Sequence, residues 1–133
     1  MIRNMGAGWA EIEIENFHGY PSYIDDVPVI LLNAFIEYYE NGESEIEFDE
    51  EGTEFILKFK DNKVEIIKEE DTDVLIKAKV NVDDLAKEAY YDIKNYLQEW
   101  IDFCFTVNEK EEIEIKNKLE ENLGKIKSIL NIE

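Results

Sequence analysis

Apolar and charged residues alternate with a period of two in five stretches of the chain, and no other feature restricts its fold as tightly. Residues 9 to 17 read Trp-Ala-Glu-Ile-Glu-Ile-Glu-Asn-Phe, which places Ala10, Ile12 and Ile14 on one face and Glu11, Glu13 and Glu15 on the other. A half-buried strand has this pattern, because its successive side chains point to opposite sides. Glu45 to Asp49 turns Ile46 and Phe48 inward, and Glu54 to Lys60 does the same with Phe55, Leu57 and Phe59. Lys63 to Lys68 and Val74 to Val82 complete the set, the last with Val74, Ile76, Ala78 and Val80 on one face. The connections suit hairpins: Asp49-Glu50-Glu51-Gly52 supplies a glycine for positive φ, and Asp61-Asn62 fits a two-residue turn.

Three helices are expected around these strands. Asp25 or Asp26 caps the first, Pro28 is tolerated in its opening turn, and Asn41-Gly42 ends it. The second carries a 3.6-residue stripe from Val82 through Leu85, Ala89, Ile93, Leu97 and Trp100 to Cys104, with Asn81 before it. Asn108 followed by Glu111 resembles a capping arrangement for the third, whose stripe is Ile115, Leu119, Leu123, Ile126 and Leu130. The expectation is a single α+β domain over residues 1–133. It has a five-stranded mainly antiparallel sheet with helices on one face, in the order β-α-β-β-β-β-α-α. A content of 44% apolar and 12% aromatic residues supports a packed core, despite a formal charge of −19.

That charge is unevenly placed. Residues 1–57 hold fourteen carboxylates against Arg3 alone, a net −13 that leaves only −6 for the remainder. From Glu37 through Glu54 there are nine carboxylates and no cation. Such a chain repels phosphate backbones and anionic membrane surfaces, so neither nucleic acid nor membrane is an expected partner. A solvated sheet face explains individual glutamates, with Lys58, Lys60, Lys77 and Lys79 pairing across strands. The cluster as a whole also suits a field that steers a basic protein partner. Its residues are Glu11, Glu13, Glu15, Glu45, Glu47, Asp49, Glu50 and Glu51, with Tyr20 and Tyr23 beside them.

No catalytic signature accompanies the acidity, and a non-enzymatic protein is expected. His18 has no second histidine or nearby cysteine to complete a zinc pattern, and reads as a loop residue packed beside Tyr20. The acidic run Glu69-Glu70-Asp71-Thr72-Asp73 lacks the spacing of a calcium loop and reads as a solvated turn. No metal or other cofactor is expected. Cys104 continues an apolar stripe and reads as a small buried hydrophobe. Trp9 and Phe17 fall on the glutamate-bearing face. They read as covered strand ends or, with Tyr20 and Tyr23, as an aromatic anchor rimmed by carboxylates. No signal-peptide pattern opens the sequence and no apolar run approaches the length of a membrane span, so the expected compartment is cytoplasmic.

The strand Trp9-x-Glu11-Ile12-x-Ile14, the segment Ser22-Tyr23-x-Asp25-x-x-Pro28 with its leucine-rich helix, and Glu47-Phe48-Asp49-x-x-Gly52 resemble small acidic bacterial proteins of uncharacterised families. In size, charge and α+β build the chain is also similar to immunity proteins of contact-dependent and other polymorphic toxin systems. The resemblance covers roughly residues 9 to 105 and rests on structural motifs. It implies a protein that neutralises a basic toxin domain by charge complementarity. An accessory protein dimerising through apolar helix faces is the alternative, so monomer and homodimer both remain open.

Overall fold

The computed structural model describes residues 1–69 and 73–132. The expected class holds, but the single five-stranded sheet does not: two antiparallel sheets are present, of three and four strands. Strands β1 (Ile2–Gly6), β2 (Trp9–Ile14) and β3 (Phe17–Gly19) form the smaller sheet as a meander. Helix α1 (Val27–Asn41) follows, and β4 (Glu43–Asp49), β5 (Glu54–Lys60), β6 (Lys63–Glu69) and β7 (Val74–Asn81) form the larger meander. Helices α2 (Val82–Asn95), α3 (Leu97–Phe103) and α4 (Glu109–Leu130) close the chain.

The stretch read as one strand over residues 9–17 is a hairpin. Glu15 adopts a left-handed φ of 57° and, with Asn16, turns the chain so that Ile14 pairs with Phe17 and Glu13 with His18. The alternation changes phase at this tight turn: Phe17, which a single strand would place on the glutamate-bearing face, joins Ile12 and Ile14 in the core. His18 therefore lies on a strand and not in a loop. The helix expected over residues 82–104 breaks at Tyr96, whose φ of −122° ends α2 and begins α3. The expected aspartate cap of α1 is not made: Asp26 stands at the N-cap without a side-chain hydrogen bond to the helix, and the Asp25 carboxylate accepts from the Asp49 N–H instead. Further local expectations are met. Gly42 closes α1 in the left-handed region at φ 87°, and Asp61 and Asn62 form a hairpin with both residues at positive φ. Asn81 and Asn108 accept hydrogen bonds from the backbone N–H of Asp84 and Glu111.

The core lies on the inner face of the larger sheet. Phe48, Phe55, Leu57, Phe59, Val64 and Ile66 are fully or almost fully buried there. Phe35 of α1 stacks on Phe59 with ring centroids 4.8 Å apart, and Phe17 meets Phe55 edge-on at 5.2 Å. The latter contact brings the smaller sheet over one end of the larger. Gly19 permits it, because a Cβ at that position would lie 2.6 Å from the Phe55 ring. Helix α4 packs across α1 and α2 through Leu119, Leu123 and Ile126, with Asn122 donating to Asn33 at 2.8 Å. No described helix is long and apolar enough to cross a membrane.

Candidate functional site

The expected acidic residues divide by what their carboxylates touch. Glu11, in the central strand of the smaller sheet, is only 4% exposed. One of its oxygens accepts from Arg3 Nε at 2.7 Å, and the other lies 3.2 Å from His18 Nδ1. The His18 hydrogen bond, followed by that of Arg3, holds the Glu11 carboxyl below its ordinary range against the opposing effect of burial. Glu13 approaches the same imidazole at 3.6 Å, and His18 stacks on Tyr20 as expected, with centroids 6.5 Å apart. Ligand atoms of Glu11, Glu13 and His18 lie within 4.8 Å of one another. The grouping crosses between strands and so has no spacing signature along the chain. Arg3 pairs with Glu11, and the His18 imidazole lies between the Glu11 and Glu13 carboxylates.

A second group ties backbone segments together. Glu15 accepts from the Lys79 backbone N–H of β7, at 2.7 and 3.0 Å to its two oxygens. Glu50 accepts from the Tyr20 N–H at 2.9 Å and from the Thr53 hydroxyl at 3.1 Å. Asp49 accepts from the Glu51 N–H at 2.6 Å, while its own N–H donates to Asp25 at 2.8 Å. Charged acceptors strengthen such bonds. In a half-chain with one cation, backbone amides take the place of lysines.

A third group lies on the outer face of the larger sheet. Cross-strand register sets Glu45 opposite Lys58, then Glu65, then Lys77, so that charges alternate across four strands. Lys58 approaches Glu45 at 3.7 Å and Lys60 approaches Glu43 at 3.5 Å, the cross-strand pairing expected of a solvated face. Glu47 differs. Its neighbour opposite is Ile56, and no cation pairs with it among the described residues. A hydrogen bond with Glu54, then the negative charge of Glu54, raises the Glu47 carboxyl above its ordinary range; slight desolvation and Asp49 add to this. Exposed Glu51 lies at the tip of the same hairpin.

The aromatics also separate. Phe17 is core, Trp9 is half-buried and bridges to Ser22, and Tyr20 is 39% exposed beside His18. Tyr23 is 46% exposed and its ring centroid lies 6.2 Å from that of Phe105, which is 75% exposed. Phe105 had no signal in the sequence beyond its position between two helices. Cys104 beside it is buried, and burial, followed by the charge of Asp26, pushes its thiol up to about 12. The acidic connection expected as a solvated turn falls partly outside the described residues, at 70–72.

Comparison with family models, with curated proteins and with solved structures finds no match to this chain.

Proposed function

We propose that the protein is a non-enzymatic binding protein that engages a basic protein domain through the acidic β4–β5 hairpin, in the manner of an immunity protein that neutralises its toxin. The observation that carries this reading is the Glu47–Glu54 pair. Register sets Asp49 directly opposite Glu54 and Glu47 diagonal to it on the same outer face, where Glu54 raises the Glu47 carboxyl above its ordinary range and no cation pairs with Glu47 among the described residues. Like charges on neighbouring strands destabilise a sheet, and most other carboxylates of the first half have donors. A lysine or arginine from a partner relieves the repulsion and supplies the missing charge.

The resemblance to immunity proteins directs the search for that partner to the adjacent upstream gene. Co-expression of its product is expected to give a complex that dissociates as salt rises. The triple variant Glu47→Lys, Glu51→Lys, Glu54→Lys is expected to abolish capture while its circular dichroism stays unchanged. A complex indifferent to both changes overturns the electrostatic reading. The dimer alternative has less support, since the apolar stripes of α1, α2 and α4 pack largely against one another and against the sheets. A shallow groove between α1 and α4, lined by Tyr39, Gly124, Ser128 and Ile129 among others, is what they leave. A salt-indifferent dimer in sedimentation would favour that alternative.

A further inference from the structure

Three loops that are distant in sequence meet at one small pocket. The β1–β2 turn supplies Ala7 and Gly8, the loop before α1 supplies Tyr23, and the end of α3 with the following loop supplies Asp102, Phe103 and Phe105. The cavity measures about 370 Å³. Its walls are preformed. The Tyr23 N–H donates to the Gly8 carbonyl at 2.8 Å, and the Tyr23 ring lies where a Cβ on residue 8 would come within 2.8 Å of it. Glycine is thus needed at position 8 both for its φ of 80° and for the ring's seat. The Tyr23 and Phe105 rings are inclined at 53°, an open wedge with exposed faces. Asp102 has one oxygen engaged by the Gln98 amide at 2.9 Å, and none of the lining residues is basic.

Two aromatic faces and a carboxylate around a cavity of this size match a cation carried on an apolar stem. An aromatic face attracts a cation within about 6 Å of its centroid. A planar guanidinium also stacks on the ring and donates to a carboxylate, which an ammonium does less well. A purely apolar ligand would leave Asp102 without a counter-charge, whereas a net charge of −19 on the chain favours a cationic one. We propose that this pocket seats an arginine side chain of the basic partner, as the aromatic anchor of an interface whose electrostatic steering comes from the β4–β5 hairpin. The proposal rests on the protein-binding reading above.

The test needs no partner. Ac-Gly-Arg-Gly-NH2 is titrated into isotopically labelled protein, with the ring resonances of Tyr23 and Phe105 and the amides of the three loops followed by NMR. Saturable shifts confined to these loops are expected. The citrulline peptide, equal in shape but uncharged, is expected to bind about five- to tenfold more weakly, the scale of one cation–π contact with one charge-assisted hydrogen bond. Phe105→Ala and Asp102→Asn, both at exposed positions, are expected to lose the shifts while the urea midpoint holds. Absence of saturation, or equal binding of the two peptides, overturns the pocket. If the partner complex nevertheless forms and weakens with salt, the binding function stands and its anchor lies elsewhere. If the peptide binds but no basic partner does, the pocket stands and the function falls.

Discussion

Glu11 and Glu47 are both strand glutamates, yet their surroundings shift them in opposite directions. Ionised Glu11 is held by His18 and Arg3, so its folded pKa lies below the unfolded value of about 4.3. Its stabilising contribution is complete above that value and is lost as pH falls through the folded pKa. Glu47 has a folded pKa above the unfolded one, so the native state is favoured below the unfolded pKa and loses that advantage as pH rises through the folded pKa. Urea melts across pH are therefore expected to show Glu11→Gln lowering the midpoint at pH 7, with a flatter decline into acid. Glu47→Gln is expected to raise the neutral-pH midpoint, with the gain disappearing in acid. Gly19 gives a residue-scale prediction of another kind. Its replacement by alanine forces a methyl into the buried Phe55 ring and is expected to cost about 1–3 kcal/mol in urea unfolding. Neither feature was legible beforehand: the alternation makes Glu11 and Glu13 equivalent, and nothing local to Gly19 names Phe55 as its neighbour.

At the scale of elements, legibility followed the amount of core each segment covers. Strands β4 to β7 were readable because most carry the alternation of a face packed on a core, with hairpin residues between them. Strand β1 was not, since Ile2 is its only buried residue and the strand is held by pairing to β2 and by Arg3 on Glu11. The division into two sheets was hidden for a related reason. It depends on how strand ends meet, as where the Ser22 N–H donates to the Asp49 carbonyl at 3.1 Å and Glu15 accepts from Lys79 of β7. The break at Tyr96 has no proline or glycine to announce it. Trp100 packs in the core beyond the break, and its indole N–H donates 2.8 Å back to Asp92. The asparagine caps were the most readable local devices, whereas the aspartate expected to cap α1 makes no such bond. Asn81→Ala and Asn108→Ala are each expected to cost about 1 kcal/mol by the loss of one capping acceptor, measured by thermal or urea unfolding.

Across the whole molecule, the acidity has separate uses. Buried or bridging carboxylates such as Glu11, Glu15, Glu50 and Asp25 join strands and loops, and Glu43 and Glu45 pair with lysines. Glu47 and Glu51 are the other candidate residues on the β4–β5 hairpin, with Glu54, not among those expected, on the neighbouring strand. The sequence showed an acidic half-chain, but contacts between distant segments decide which charges face outward. The most direct measurement is the dissociation constant of the proposed complex with the upstream gene product between about 0.01 and 1 M NaCl, a range over which the Debye length shortens from ~30 to ~3 Å. It is made for the native chain and for the combined variant Glu47→Gln, Glu51→Gln, Glu54→Gln. The native chain is expected to weaken steeply with salt. The variant is expected to bind at least about tenfold more weakly at low salt, with a shallower dependence. Equal affinities and equal salt slopes for the two proteins would contradict a partner-binding role for this hairpin.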